Sequence, residues 1–202
     1  LYSLPMNLFP LSIASRKRMK EWLAYIECAL IFLLLTACRN NKVKQSPYGT
    51  ENIIGKEIKI TTNIPFLLLN DTLKNLPKSD YTIINYIDSS DCVACNLYTL
   101  EWKFFMEEIE SSSPHKVTLV VYVLPQEKDR TSDLKWILIG DDFNYPVCFD
   151  KENNFARINQ LPVEKMFHTF LLDADYKIVL VGNPITHPSI REKYKSTLCA
   201  EQ

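Results

Sequence analysis

The stretch KVTLVVYVL, residues 116–124, constrains the fold more than any other. It is almost unbroken apolar sequence with four valines, closed by Pro125. A strand with one wet face alternates in polarity. One this uniform is buried on both faces, as where helices cover both sides of a sheet. A second strand of similar character, YTIINYI at 81–87, precedes it. Between them Leu97, Leu100 and Phe104 recur at helical spacing, with Phe105 and Ile109 beside them. Glu101, Glu107, Glu108 and Glu110 take other positions, so the pattern predicts an amphipathic helix ended by SSSPH at 111–115. Strand, helix and strand in this order make a parallel pair joined by a crossover.

The remaining periodicities extend this unit in both directions. GKEIKI (55–60) and IPFLLL (64–69) predict short strands, and residues 131–139 a helix opened by Thr131 or Ser132 and stopped by Gly140. YPVCF (145–149) predicts a strand and NNFARINQL (153–161) a short helix. HTFLLDADYKIVLVG (168–182) predicts two strands around a DADY turn, and residues 188–199 a closing helix. The sum is an α/β domain with a central mixed sheet flanked by helices. A hydrophobic content of 47% is enough for a packed core. The formal net charge of −1 is too balanced for a nucleic-acid partner. With four glycines in 202 residues and no GxGxxG or Walker pattern, a phosphate-cradling loop is excluded.

Cys92 and Cys95 follow the 81–87 strand directly, at the carboxyl end where functional loops of parallel sheets gather. Two cysteines at this spacing admit three readings: a redox pair, two ligands of a metal, or an inert pair. At a helix start the sulfurs are close enough to bond. The first also lies beside free N–H groups and the positive end of the helix dipole, which favour a thiolate. In disulfide exchange Cys92 is then the nucleophile, and Cys95, buried one turn into the helix, the resolving thiol.

The order strand–CxxC–helix, with YPVCFD and HTFLLDADYKIVLVGNP, resembles the thioredoxin fold. It looks most like the TlpA-like envelope thiol–disulfide oxidoreductases and thioredoxin-like bacterial lipoproteins, over roughly residues 55–200. The resemblance implies a thioredoxin-like α/β fold with an inserted strand and helix before the terminal hairpin. It implies a catalytic Cys92–Cys95 disulfide and no organic cofactor. Its expected partners are thiols or disulfides of exported proteins and an envelope electron donor or acceptor. Three positions depart from the family pattern. Asp91 and Ala94 stand where the family carries tryptophan and often proline, and an acid next to Cys92 opposes thiolate formation. Phe167 stands where the family places a cis-proline before the TFLLD strand, and the nearest proline is Pro162. A non-proline cis bond costs about 2.5–4 kcal/mol, so the loop is expected to be trans. Phe167 and His168 are the expected substrate loop, with the Phe167 ring capping the disulfide as an apolar lid.

Two alternatives remain. Cys92, Cys95 and His168 could hold copper or zinc, in the manner of Sco-type copper chaperones. Otherwise the chain is a non-catalytic thioredoxin-fold lipoprotein that binds a partner. Ser89, three residues before Cys92, suggests a peroxidase, but no proline–threonine loop accompanies it. Asp88 is a candidate proton acceptor for Cys95. Cys148 reads as a small buried hydrophobe and Cys199 as a free thiol. His115, His187, Trp102 and Trp136 read as structural.

The amino-terminal segment has its own pattern. Arg16, Lys17, Arg18 and Lys20 precede the apolar run CALIFLLL (28–35) and the small residues before Cys38. This predicts a secretory signal over 1–37, with upstream translation before a start at Met19 or Met6. The apolar run is far shorter than the ~20 residues of a membrane span. LLTAC resembles a bacterial lipobox, which makes Cys38 the lipidated residue. Residues 38–54 then form the anchor and tether, and 55–202 the domain, facing the periplasm or exterior of the cell envelope.

Overall fold

The computed structural model describes residues 53–61, 63–69, 71–90, 92–126 and 131–200. Its strands are β1 (Phe66–Leu68), β2 (Asp71–Leu73), β3 (Tyr81–Ile87), β4 (Val117–Val123), β5 (Val147–Phe149), β6 (Thr169–Leu172) and β7 (Ile178–Val181). They form one sheet in the order β2-β1-β5-β4-β3-β6-β7. β3, β4 and β5 are mutually parallel, while β1 and β6 flank that trio antiparallel. β2 and β7 are antiparallel edge strands. The helices are α1 (Val93–Asn96), α2 (Thr99–Ser112), α3 (Thr131–Gly140), α4 (Asn154–Asn159) and α5 (Pro188–Leu198).

β4 shows why its sequence does not alternate. Val117, Leu119, Val121 and Val123 face a core shared with α2, α3 and α5, through Phe105, Leu134 and Tyr194. Val120 and Tyr122 face the opposite core, with Phe66, Ile84, Phe155 and Phe170. Both faces of the central strands are dry, so both sets of side chains are apolar. Tyr122 stacks on Phe155 of α4, with ring centroids 3.9 Å apart, which fixes the inserted helix against its face.

Most predicted elements are present, with local differences. GKEIKI forms no strand: Glu57 makes a single bridge to Lys177. An unpredicted strand, β2, pairs with β1 across a turn that includes Leu69 at φ 51°. The signal segment 1–37, Cys38 and the tether up to residue 52 lie outside the described residues.

The helix after the cysteines differs most. Leu97 ends α1, and Tyr98 enters the left-handed region at φ 46° before α2 starts. The break resets the helical phase. Trp102, Phe105, Met106 and Ile109 are buried, while Leu100 and Phe104, expected inside, are exposed. Thr99 donates its hydroxyl hydrogen bond to Asp141, just past α3, anchoring the new start.

Candidate active site

β3 lies inside the sheet next to the central strand β4, paired with β4 along its whole length and with β6 on its other side. It ends at Ile87, and the chain then turns through Asp88–Ser90. The Asp88 carboxylate accepts hydrogen bonds from the Ser90 N–H at 2.9 Å and the Ser90 hydroxyl at 2.6 Å. Gln126, just after β4, donates to the Ser89 carbonyl at 2.6 Å. The loop that carries the cysteines therefore hangs from the carboxyl ends of two parallel strands.

Cys92 and Cys95 are joined as a disulfide with their Cα atoms 5.3 Å apart. Cys92 occupies the N-cap position of α1, and its sulfur accepts from the Cys95 N–H at 3.2 Å. It plays the part that serine or aspartate oxygen plays at other caps. The Asn96 backbone and side-chain amides both donate to the Cys92 carbonyl. Two expectations are corrected here. Cys95 is not buried: both cysteines are exposed. The dipole of a long helix is not aimed at Cys92 either, because α1 is one turn and α2 starts afresh beyond Tyr98. What favours a thiolate is the local N–H group of Cys95. Asp91 lies outside the described residues.

Phe167 is 1% exposed and ends a single 3-10 turn, Lys165–Phe167. Its ring turns inward and leaves exposed sulfurs, so the expected apolar lid is absent. No described peptide bond is cis. The residue directly before β6 is His168, so Phe167, matched above to the family's cis-proline, lies two residues before the strand. The His168 carbonyl accepts from the Tyr86 N–H at 2.8 Å, and its ring packs edge-on against Tyr86.

His168 is 6% exposed, and Nε2 is its hydrogen-bonded ring nitrogen. Nε2 lies 2.8 Å from the Pro162 carbonyl, which can only accept, so the proton sits on Nε2. Nδ1 faces the Asp88 carboxylate at 3.7 Å. Burial pushes the His168 pKa below the ordinary imidazole value, outweighing the Pro162 bond and the Asp88 charge. Partial burial works against the Asp88 carboxylate, but the Ser90 bonds and His168 prevail and hold its pKa low. A carboxyl so stabilised as an anion is a weak proton acceptor, which weakens its expected role toward Cys95. Among the described residues no group of three or more His, Cys, Asp or Glu is placed to hold a metal, so His168 does not complete a set with the cysteines.

Of the remaining thiols, Cys148 is fully buried in β5, and burial pushes its pKa up to about 12. Cys199 is partly exposed, with its sulfur 3.3 Å from the Ser112 hydroxyl.

A cleft of about 600 Å³ opens near the cysteine loop, bordered by Asp88 and Asn96, with neither Cys92 nor Cys95 in its lining. Asn96 and Tyr98 form one wall, Met166 and His168 another, and β7 with α5 the remainder. Gly182 closes one corner at φ 118°, where an added Cβ would meet Ile190 at 3.2 Å. Sequence reasoning did not single out Gly182, Lys193 or Asn85, which also line this cleft. The one available signal was Asn85 itself, a polar residue inside an otherwise apolar strand.

No protein-family model matches the sequence, and no curated protein matches it. Solved structures do. A putative electron transfer protein from Aquifex aeolicus VF5 superposes with a TM-score of 0.50 at 14% identity, over 74% of this chain and 99% of that one. PrxQ of Xylella fastidiosa, as a cysteine-to-serine mutant, gives 0.48 at 13% identity over 71% and 96%. StoA from Bacillus subtilis gives 0.41 at 15% over 60% and 89%. Identities this low speak to architecture, and the Aquifex superposition carries it. The chain has a thioredoxin-like α/β fold, with β5 and α4 inserted before the terminal hairpin.

Proposed function

We propose that this protein is a membrane-anchored thiol–disulfide oxidoreductase acting on exported proteins through Cys92 and Cys95. The observation that carries the reading is an exposed disulfide capping a helix start beyond the carboxyl end of β3, an interior parallel strand. A disulfide spanning so few residues removes little chain entropy, so stapling is a poor account of it. Its exposure leaves both sulfurs open to exchange. In the reduced protein the Cys92 thiolate attacks one sulfur of a substrate disulfide and displaces the other as a thiol. Cys95 then attacks Cys92, releasing the second substrate thiol and restoring the protein disulfide. Both electrons move from the protein pair to the substrate, and the reverse sequence oxidises a substrate dithiol. The Aquifex neighbour, described as a putative electron transfer protein, is compatible with this chemistry. Lipidation at Cys38 and an envelope location belong to the same proposal and rest on the LLTAC pattern.

Insulin reduction by dithiothreitol tests the reaction. Catalytic amounts of protein should accelerate it, and Cys92→Ser should abolish the acceleration. A rate no faster than dithiothreitol alone would leave only the partner-binding reading.

A further inference from the structure

Between Asp88 and His168 the protein leaves a gap that one proton would fill. Nδ1 of His168 lies 3.7 Å from Asp88 Oδ2, beyond hydrogen-bond reach. With the ring proton held on Nε2 by the Pro162 carbonyl, Nδ1 presents a lone pair to an anion. The other oxygen of the same carboxylate, Oδ1, holds the Ser90 N–H and hydroxyl. Asp88 thus stands between the turn that leads to Cys92 and the turn that leads into β6. The histidine is the fixed partner. Its N–H donates to the Lys165 carbonyl at 3.0 Å, its carbonyl accepts from Tyr86, and its ring is buried. The cysteine loop is the exposed partner, with Ser90, Cys92 and Cys95 all facing solvent.

The acids around the ring favour a proton there. Asp88 faces it from the loop after β3 and Glu164 from the 3-10 turn, where Lys165 opposes them. One Glu164 oxygen, Oε2, is buried and has no hydrogen-bond partner among the described residues. Tyr86 of β3 packs edge-on and stays neutral, since burial and the nearby acids push its pKa up to about 12. α5 adds Lys193 and, at its N-cap, His187, which line the cleft that His168 also borders. Burial outweighs the acids and keeps the ring neutral at ordinary pH, so the proton arrives only below about pH 6.5.

We propose that His168 is a positioning residue for the cysteine loop, acting through Asp88 and switched by its own ring proton. Its consequence rests on the exchange reading, while the switch itself stands on the contacts between the two turns. A proton on Nδ1 turns the lone pair into a donor to Asp88 Oδ2. The carboxylate then bridges His168 and Ser90, and ties the cysteine loop to the turn before β6. The proton also offsets the charge of Asp88, an acid in the same loop as Cys92. Less negative charge in that loop favours the Cys92 thiolate. The loop is therefore tied down, and its thiolate supported, in the acid range where thiolates otherwise disappear.

An NMR titration of the oxidised protein from about pH 8 to about pH 5 reads the switch. The Ser90 amide and the Asp88 carboxyl carbon should shift at the same midpoint as the His168 ring. Asp88→Asn, at a partly exposed position, should lower that midpoint by about one unit. His168→Gln should abolish the Ser90 inflection while keeping a donor for Pro162. A Ser90 amide that does not follow the His168 ring, or a midpoint unmoved by Asp88→Asn, would overturn the proposal. In the reduced protein, the rate of Cys92 labelling by iodoacetamide reads the consequence. A thiolate-limited rate falls about tenfold per pH unit below the thiol pKa. Scaled to equal rates at about pH 7.5, the wild type should label about threefold faster than His168→Gln at about pH 5.5. Equal slopes in the two proteins would overturn the positioning role. Ser90 and His168 titrating together in a protein that does not accelerate insulin reduction would keep the switch and sink the exchange reading. Insulin reduction without that coupling would do the opposite.

Discussion

Cys92 and Cys95 are both exposed, so access alone does not separate nucleophile from resolving thiol. The hydrogen bond from the Cys95 N–H to the Cys92 sulfur does, because it favours the anion at Cys92. Cys95→Ser should therefore trap mixed disulfides with partner proteins on a non-reducing gel, and Cys92→Ser should trap few. Equal trapping by both variants would contradict the assignment. Cys148 supplies an internal control, since burial holds its thiol near a pKa of about 12. Iodoacetamide should leave it unmodified until the protein unfolds. His168 makes the fold acid-sensitive. Its folded pKa lies below the unfolded value of about 6.5, so the unfolded chain binds more protons in that window. The stability is fully present above about pH 6.5 and is lost as pH falls through the folded pKa. Asp88 adds a second loss of the same sign below about pH 3.9. Urea titrations across pH should show the first loss, and His168→Gln should flatten it while keeping a donor for Pro162.

At the scale of elements, most strands and helices were legible because each carried its own period. The 81–87 and 116–124 strands read directly, and the hairpin of β6 and β7 was marked by its turn residues. The helix after the cysteines was not legible in detail. Its apolar residues fit one continuous phase through Leu97, Leu100 and Phe104, and nothing local announces the left-handed residue at Tyr98 that resets it. The lid expectation for Phe167 failed for a related reason. A 3-10 turn, with the Phe167 N–H donating to the Glu164 carbonyl at 3.0 Å, rolls the ring into the interior. Phe167→Ala should thus cost about 3–5 kcal/mol of stability in denaturant titration, as for a core aromatic, without exposing sulfurs that are already open. Gly182 is the corresponding backbone requirement, because its positive φ and the nearby Ile190 seat α5 against the end of β7. Gly182→Ala should cost about 1–3 kcal/mol in denaturant titration.

For the whole molecule, the sequence carried the architecture and the pairing of Cys92 with Cys95, while the cleft depended on residues distant in the chain. Asn85, Thr169 and Lys193 come together only after β3, β6 and α5 have packed. No periodicity joins them. The anchor belongs to this scale as well. Mass spectrometry of the membrane fraction should find an acylated Cys38 as the first residue, and a mature chain starting elsewhere without lipid would contradict it. The central claim, that the Cys92–Cys95 pair exchanges electrons, is tested most directly by a redox titration. The protein is equilibrated in dithiothreitol buffers of stepped potential, trapped by alkylation and weighed intact. The account predicts one reversible two-electron transition in which Cys92 and Cys95 gain label together and Cys148 gains none. A pair that stays oxidised across the whole range, or thiols that label independently, would contradict it.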